Sequence, residues 1–425
     1  MKKKGFPLHW LILIGMIAGV IFGVLAVWLG WQNFTSTWIQ PWGTIFINLL
    51  KLIAIPLIIA SLINGISGLN DVSRLSRIGF KAIGIYLITT VIAISIGLLM
   101  VNITKPGKFL SEEKSAEFRA KYAANVAEVA PKEDGPLQFL VNLVPDNIFN
   151  AMTNNTNMLQ VIVFSLLFGV ALVLVPADKT LQIRQFFDGF NEVVMQMIHL
   201  IMKTAPVGVF ALIASMTTQL AGDNIADTIQ LFGTLGMYGL TVIIGLLLVI
   251  FVVYPLLLKL FTSIDYRQFL KGISPAQLLA FSTSSSAATL PVTMDCCEKN
   301  LGVKKEVASF VLPLGATINM DGTSLYQAVA AVFLAQIYGM DLDLGQQLTI
   351  ILTATLASIG SAAVPGAGMI MLVIVLNAVG VPTEGIALIF AVDRPLDMLR
   401  TVVNVTGDAT VSCLVAASET QIENE

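Results

Sequence analysis

Six long apolar runs settle the environment of this chain. They fall at roughly 7–31, 41–69, 79–103, 157–176, 190–217 and 229–261. An α-helix needs about 20 apolar residues to cross the ~30 Å hydrocarbon core of a bilayer, and within that core a helix satisfies its own backbone hydrogen bonds. The chain therefore reads as an all-α polytopic membrane protein. Composition agrees: of 425 residues, 56% are hydrophobic and 12% charged, against about 45–50% and about 25% in a soluble domain. The mean hydropathy is +0.83. These figures exclude an ordinary cytosolic enzyme and a disordered chain. A net charge of −3 also excludes a nucleic-acid binder, which needs a basic surface to follow phosphates.

The remaining bulk features add little chemistry. The three cysteines, Cys296, Cys297 and Cys413, fit no zinc spacing, and their odd number argues against a disulfide framework. His9 and His199 sit among apolar neighbours and read as structural. Lys2 to Lys4 precede an apolar stretch from Leu8 to Leu29 that is too long for a signal core, so it reads as a first membrane helix. All five tryptophans lie in the first 42 residues. Trp10 and Trp28 are about 27 Å apart along a helix, one bilayer core, with Trp28, Trp31, Trp38 and Trp42 forming an interfacial belt. The stretch from Lys105 to Asp134 holds 12 of the 51 charged residues and reads as an aqueous connector. Lys and Arg concentrate in the short stretches 71–81, 177–190, 259–272 and 298–305, and are missing from 218–228, 339–347 and 378–385. The positive-inside rule makes the first set, and both termini, cytoplasmic.

From about residue 275 the apolar pattern breaks three times. Ser282 to Ser286, with Thr283 among them, places five hydroxyls together before Leu290-Pro291. A second break runs from Pro313 to Thr323 and carries Asn319 and Asp321; a third runs from Ser358 to Gly368. Irregular backbone at membrane depth survives only inside protein or beside water. Interrupted helices of this kind mark the midplane site of a transporter, where half-helix ends face substrate and ions.

The last apolar segment, about 385–417, carries Asp393, Arg394, Asp397, Arg400 and Asp408. Each ion facing lipid at a helix centre costs about 2.5–3.5 kcal/mol on the insertion scale. At 100° per residue, however, Asp393, Asp397, Arg400, Thr401, Asn404 and Asp408 share a stripe about 100° wide, and Arg394 lies at its edge. Arg400 can take a carboxylate bidentately. Asp397, one turn away, can take an ammonium group, and Asn404 with the N–H groups of a half-helix can take a second carboxylate. A ligand with two carboxylates and one ammonium is an acidic amino acid. Asp408 and Asp321, flanked by glycine and hydroxyl residues, suit an oxygen-only sodium site near freed carbonyls. Lys51 and Lys203, the other intramembrane charges, carry no assigned role.

Ser284 to Pro291, Asn319-Met-Asp-Gly-Thr323, the Gly360 to Gly368 tip and the stretch from Asp397 to Asp408 together resemble the dicarboxylate/amino acid:cation symporter family. This is the family of the glutamate and aspartate transporters, here most similar to its prokaryotic sodium-coupled branch. Leu49 to Pro56 and Ala205 to Leu212 also resemble it, so the likeness spans nearly the whole chain. The resemblance implies eight transmembrane helices and two re-entrant hairpins, at about 275–296 and 347–378. It implies a homotrimer in the plasma (inner) membrane, working as an elevator. Residues 1–75 and 105–222 would form the scaffold, and residues 76–104 and 223–425 the transport domain.

By the same resemblance Arg400 holds the side-chain carboxylate of the substrate and Asp397 its amino group. Ser284, Ser285, Ser286, Met320, Thr323, the tip Val364, Pro365, Gly366, Ala367 and Gly368, and Thr401 and Asn404 complete the pocket. One sodium ion would use Gly315, Asn319, Asn404 and Asp408. A second would use Thr317, Met320, Ser358, Ile359 and Ser361. A third would use Tyr86, Thr89, Thr90, Asn319 and Asp321. Sodium is then co-transported cargo, and no cofactor is implied.

The chain departs from the family in places. Archaeal members carry an arginine where this chain has Ser284, and animal members carry one where it has Met398; Arg394 is the candidate substitute. Ala287 stands for a usual serine and Ala363 for a usual glycine. Gln327 occupies the position of a proton-exchanging glutamate, which favours sodium coupling without proton exchange. A proton-coupled or C4-dicarboxylate carrier is the alternative, though succinate would leave Asp397 unpaired. An intramembrane protease is a distant one: Gly65-Ile-Ser-Gly68 matches a short serine pattern with no oxyanion hole in view.

Overall fold

The computed structural model describes residues 8–67, 75–110, 116, 141, 144–153, 157–220, 225–359, 361, 363 and 365–423. Among these residues there is no strand. Five helical stretches are long and apolar enough to cross a membrane: Gln32–Asn64, Ile78–Phe109, Ala177–Ser215, Gln230–Phe261 and Val392–Glu419. Lys2 to Lys4, Arg74, Val364 and most of the charged connector lie outside the described residues.

One group of helices comprises α1 (Leu8–Trp28), α2 (Gln40–Ser67), α4 (Met158–Leu174) and α5 (Ala177–Leu220), with α3 (Leu75–Thr104) belonging elsewhere. α5 is the spine, packed by both α1 and α2, while α4 lies on α2. In lipid, small residues replace hydrophobic sorting as the means of close helix approach. Gly15, Gly19 and Gly23 recur every fourth residue and so line one face of α1. A Cβ on Gly19 would sit 2.7 Å from the carbonyl oxygen of Phe210, and one on Gly23 2.5 Å from Cβ of Thr217. The glycines thus let the two backbones meet. The stretch 177–190, expected as a short loop, is instead the first part of a 44-residue α5. At 1.5 Å per residue that helix runs about 66 Å, so its charged end continues beyond the membrane without a break.

The second group gathers α3 with everything after residue 224. α6 (Ile225–Leu248) passes through a π-helical stretch, Val249–Val253, into α7 (Tyr254–Phe261). The first hairpin is α8 (Tyr266–Thr283) and α9 (Ser286–Asp295). It starts about ten residues earlier than the expected 275–296, because Asp265 caps α8 by accepting from the N–H groups of Arg267 and Gln268 at 2.9 and 3.2 Å. Next come α10 (Lys305–Ile318) and α11 (Asp321–Ile337), broken at Asn319-Met320. The second hairpin is α12 (Leu344–Ile359) and α13 (Ala367–Ala378). α14 (Ile386–Glu423) ends the fold and is packed by α6, α8, α10 and α11; α11 also packs on α3. The two groups meet where α14 touches α5 and α13 touches α2. Lys51 of α2 pairs across this seam with Glu384, N to O at 3.7 Å.

Candidate functional site

The charge stripe of α14 folds into one buried network. Arg400 is 0% exposed. Its Nη2 donates to Asp393 Oδ1 at 3.0 Å and Asp397 Oδ1 at 2.8 Å, two turns and one turn back along the helix. Arg394 Nη1 donates to the other oxygen of Asp397 at 3.3 Å. The guanidinium carbon of Arg400 lies 3.7 Å from the ring centroid of Tyr326, a cation–π contact that gains strength when water is excluded. Yet Arg400 Nε and Nη1 have no partner among the described residues. A buried donor without an acceptor costs about 1–3 kcal/mol, more when charged, so this face of Arg400 can take a further acceptor.

Beside it lies a small, partly open pocket bounded by Ser284, Ser286, Met320, Thr323, Ser361, Ala363, Gly368, Asp397, Thr401 and Asn404. Its volume of about 10 Å³ is room for about one water molecule. The hairpin tips form the walls through their own turn chemistry. Ser284 ends α8 at φ 52°, and Ser285 caps α9 by accepting from Ala288 N at 3.2 Å. The Ser285 hydroxyl also donates to Ala363 O at 2.6 Å, tying one tip to the other. Gly366, at φ 82°, turns its N–H to Asp397 Oδ2 at 3.2 Å. Asn404 accepts from Gly322 N at 2.8 Å and donates to Thr323 Oγ1 at 3.3 Å. Of the expected substrate residues, Ser285, Pro365, Gly366, Ala367 and Arg400 stand outside this lining; Gly366 lines a separate cavity with Arg394. Arg400 lies just behind it: a Cβ on Gly368 would sit 3.3 Å from Arg400 Nη1. Val364 falls outside the described residues.

Two more buried carboxylates lie below. Asp321 accepts from Thr90 at 2.7 Å, Thr89 at 3.3 Å and Tyr254 at 2.9 Å. Asp408 accepts from Asn319 Nδ2 at 2.8 Å, while Asn319 Oδ1 is buried with no partner among the described residues. The ion pairs of the described residues involve other acids. Tyr86 donates to Val311 O at 3.0 Å rather than to a carboxylate. Among the second expected sodium set, Ser358 donates to Ile318 O at 2.9 Å, which brings α12 to the end of α10. Thr317 bonds within its own helix to Pro313 O at 3.1 Å, and the buried Ser361 hydroxyl has no partner among the described residues.

The model for the sodium:dicarboxylate symporter family matches residues 8–418. The chain belongs to that family. It is 37% identical to a proton/sodium-glutamate symport protein of Geobacillus stearothermophilus, over 100% of this chain and 97% of that protein. It is 34% identical to a proton/glutamate-aspartate symporter of Escherichia coli, over 100% and 96% of the two chains. It is 36% identical to excitatory amino acid transporter 1 of Ambystoma tigrinum, over 96% and 82%.

Several contacts of this site were not read from the sequence. Tyr254 reaches Asp321 from α7, and Tyr326 underlies Arg400; each is a lone tyrosine in an apolar helix, a signal only in hindsight. Gln327 donates to Gly368 O at 3.2 Å, so it supports the second tip. Asp393 was visible on the stripe, but its grip on Arg400 was not. Gly315 also has a steric reason: a Cβ there would lie 2.5 Å from Asp408 Oδ1 and closer still to the Tyr86 hydroxyl, separations that real Cβ contacts do not tolerate. Gly315→Ala is therefore expected to displace Tyr86 and Asp408 and to weaken sodium-dependent uptake at least tenfold, measured as initial rates in proteoliposomes. Unchanged uptake would count against a role for this corner of the site.

Proposed function

We propose that this symporter carries an acidic amino acid, aspartate or glutamate, into the cell together with sodium. The observation that carries the reading is Arg400, wholly buried, with Nε and Nη1 unpartnered one turn from Asp397. The guanidinium face suits a carboxylate, Asp397 suits an ammonium, and Asn404 with the first-hairpin tip suits a second carboxylate. Sodium is favoured by Asp321, which accepts from three hydroxyl groups, and by Asp408, which accepts from Asn319 Nδ2; both are buried carboxylates with no basic partner among the described residues. Sodium is accordingly cargo, and no resident cofactor is required.

In this reading the fold has eight spans and two re-entrant hairpins. Residues 1–75 and 105–222 form a scaffold that assembles as a homotrimer, and residues 76–104 and 223–425 form a transport domain that moves as an elevator. The protein sits in the plasma membrane with both termini cytoplasmic. The seam between the two helix groups supports this division. Proton coupling is the second reading, favoured by the likeness to the proton/glutamate-aspartate symporter of Escherichia coli; Gln327, a neutral residue beside Gly368 O, speaks for sodium. Uptake of radiolabelled aspartate, glutamate, succinate and serine into proteoliposomes, with a sodium gradient, a proton gradient or neither, tests both points. Aspartate or glutamate uptake driven by sodium is expected. Sodium-independent uptake would overturn the coupling, and preference for succinate would overturn the substrate.

A further inference from the structure

We propose that Arg394 is a positioning residue that sets the charge balance of the substrate site, and so fits it to a ligand of net negative charge. This rests on the reading of Arg400 and Asp397 as the ligand-holding pair. Asp393, Arg394, Asp397 and Arg400 form one linked group on α14. Two carboxylates face two guanidinium groups, so the group is neutral. Take Arg394 away and Asp393 with Asp397 outweigh Arg400 by one charge. In a site with little water, where charges interact at low effective dielectric, that excess repels a ligand that itself carries a net negative charge.

Arg394 also fixes the carboxylate that the ligand ammonium needs. Asp397 accepts from Arg394 Nη1 at 3.3 Å and Gly366 N at 3.2 Å on one oxygen, and from Arg400 Nη2 at 2.8 Å on the other. A carboxylate offers about four acceptor sites. Three are filled from fixed directions, which leaves one, in a set place, for an ammonium. The Arg394 side chain is only 14% exposed, and its Nε has no partner, so its charge is held close rather than spread into water. It also borders a small, partly open cleft of about 20 Å³ with Ile12, Leu50 and Met202. The balancing charge thus sits at the seam between the two helix groups rather than inside the ligand pocket, where Arg394 would touch the ligand directly.

The test is equilibrium binding of radiolabelled aspartate to the full-length purified protein in saturating sodium, with a melting curve for each variant. Arg394→Met is expected to weaken aspartate at least tenfold, and Arg394→Gln to do the same, because it keeps a donor and loses the charge. Arg394→Lys, which keeps the charge, is expected to stay within threefold of the wild type. The double variant Asp393→Asn with Arg394→Met restores neutrality but not the Arg394 hydrogen bond to Asp397, and is expected to bind at least threefold more tightly than Arg394→Met. A role in packing alone predicts the opposite, loss with lysine and no rescue by the double variant. Should Arg394→Met fail to fold, Arg394→Gln and the double variant carry the same expectation. Loss of less than tenfold in Arg394→Gln, or a double variant as weak as the single one, overturns the proposal. A wild type that binds no aspartate overturns the functional reading instead.

Discussion

Arg400→Met is expected to abolish uptake of acidic amino acids. Truncating one partner of a buried, hydrogen-bonded charge pair costs about 2–5 kcal/mol of binding, a factor of roughly 30 or more. Arg400 is placed to realise that loss in full, because it is 0% exposed and Arg394, the other base of the stripe, is already engaged with Asp397 at 3.3 Å. The same substitution also strips Asp393 of its only ion-pair partner among the described residues. Breaking a buried pair costs about 3–5 kcal/mol of stability, so lost uptake alone would not separate binding from folding. Arg400→Lys makes the separation. It keeps a positive charge for Asp393 and Asp397 but loses the planar fork that grips a carboxylate at two points and stacks on Tyr326. A folded Arg400→Lys protein with at least tenfold weaker aspartate binding is expected, measured by radioligand binding beside a melting curve. Wild-type affinity in that variant would show that the fork does not hold the ligand.

Much of the architecture was legible because a bilayer admits few solutions. The apolar runs at 41–69 and 79–103 became α2 and α3 with ends shifted by only a few residues. The three polar breaks became two hairpin tips and one broken helix, since only such places satisfy irregular backbone at depth. What stayed hidden follows from physics that period and hydropathy do not encode. The charged stretch 177–190 looked like a loop because Lys179, Arg184 and Asp188 interrupt the apolar run, yet a helix that leaves the membrane keeps its own hydrogen bonds and can stay helical in water. The partners of the site were hidden for another reason. Tyr254 and Asp321 are 67 residues apart, and Ser285 and Ala363 are 78 apart; such pairs exist only once helices from different parts of the chain are stacked. The stripe on α14 was readable because all its members lie on one helix. Its internal wiring was not, since both Asp393 and Asp397 compete for a single nitrogen of Arg400.

Asp408→Asn is expected to uncouple stability from sodium. The substitution is close to isosteric, and an asparagine oxygen can accept the bond that Asn319 Nδ2 now gives Asp408 Oδ1 at 2.8 Å. The change is therefore one of charge. In the absence of sodium, a buried carboxylate with no basic partner is a cost to the fold, so the neutral variant should melt at the same temperature as the wild type or higher. In the presence of sodium the order should reverse. An ion that binds only the folded state stabilises it by RT ln(1 + [L]/Kd), about 2.7 kcal/mol at 100 times Kd. A tenfold weaker site forfeits about 1.4 kcal/mol of that. Melting curves in sodium and in choline, taken for both proteins, read the difference directly: a large sodium-induced shift for the wild type, and a clearly smaller one for Asp408→Asn. Equal shifts would remove Asp408 from the sodium site. A variant that melts lower than the wild type in choline would instead mean that the charge at Asp408 holds the fold, with Asn319 and Gly315 as its frame.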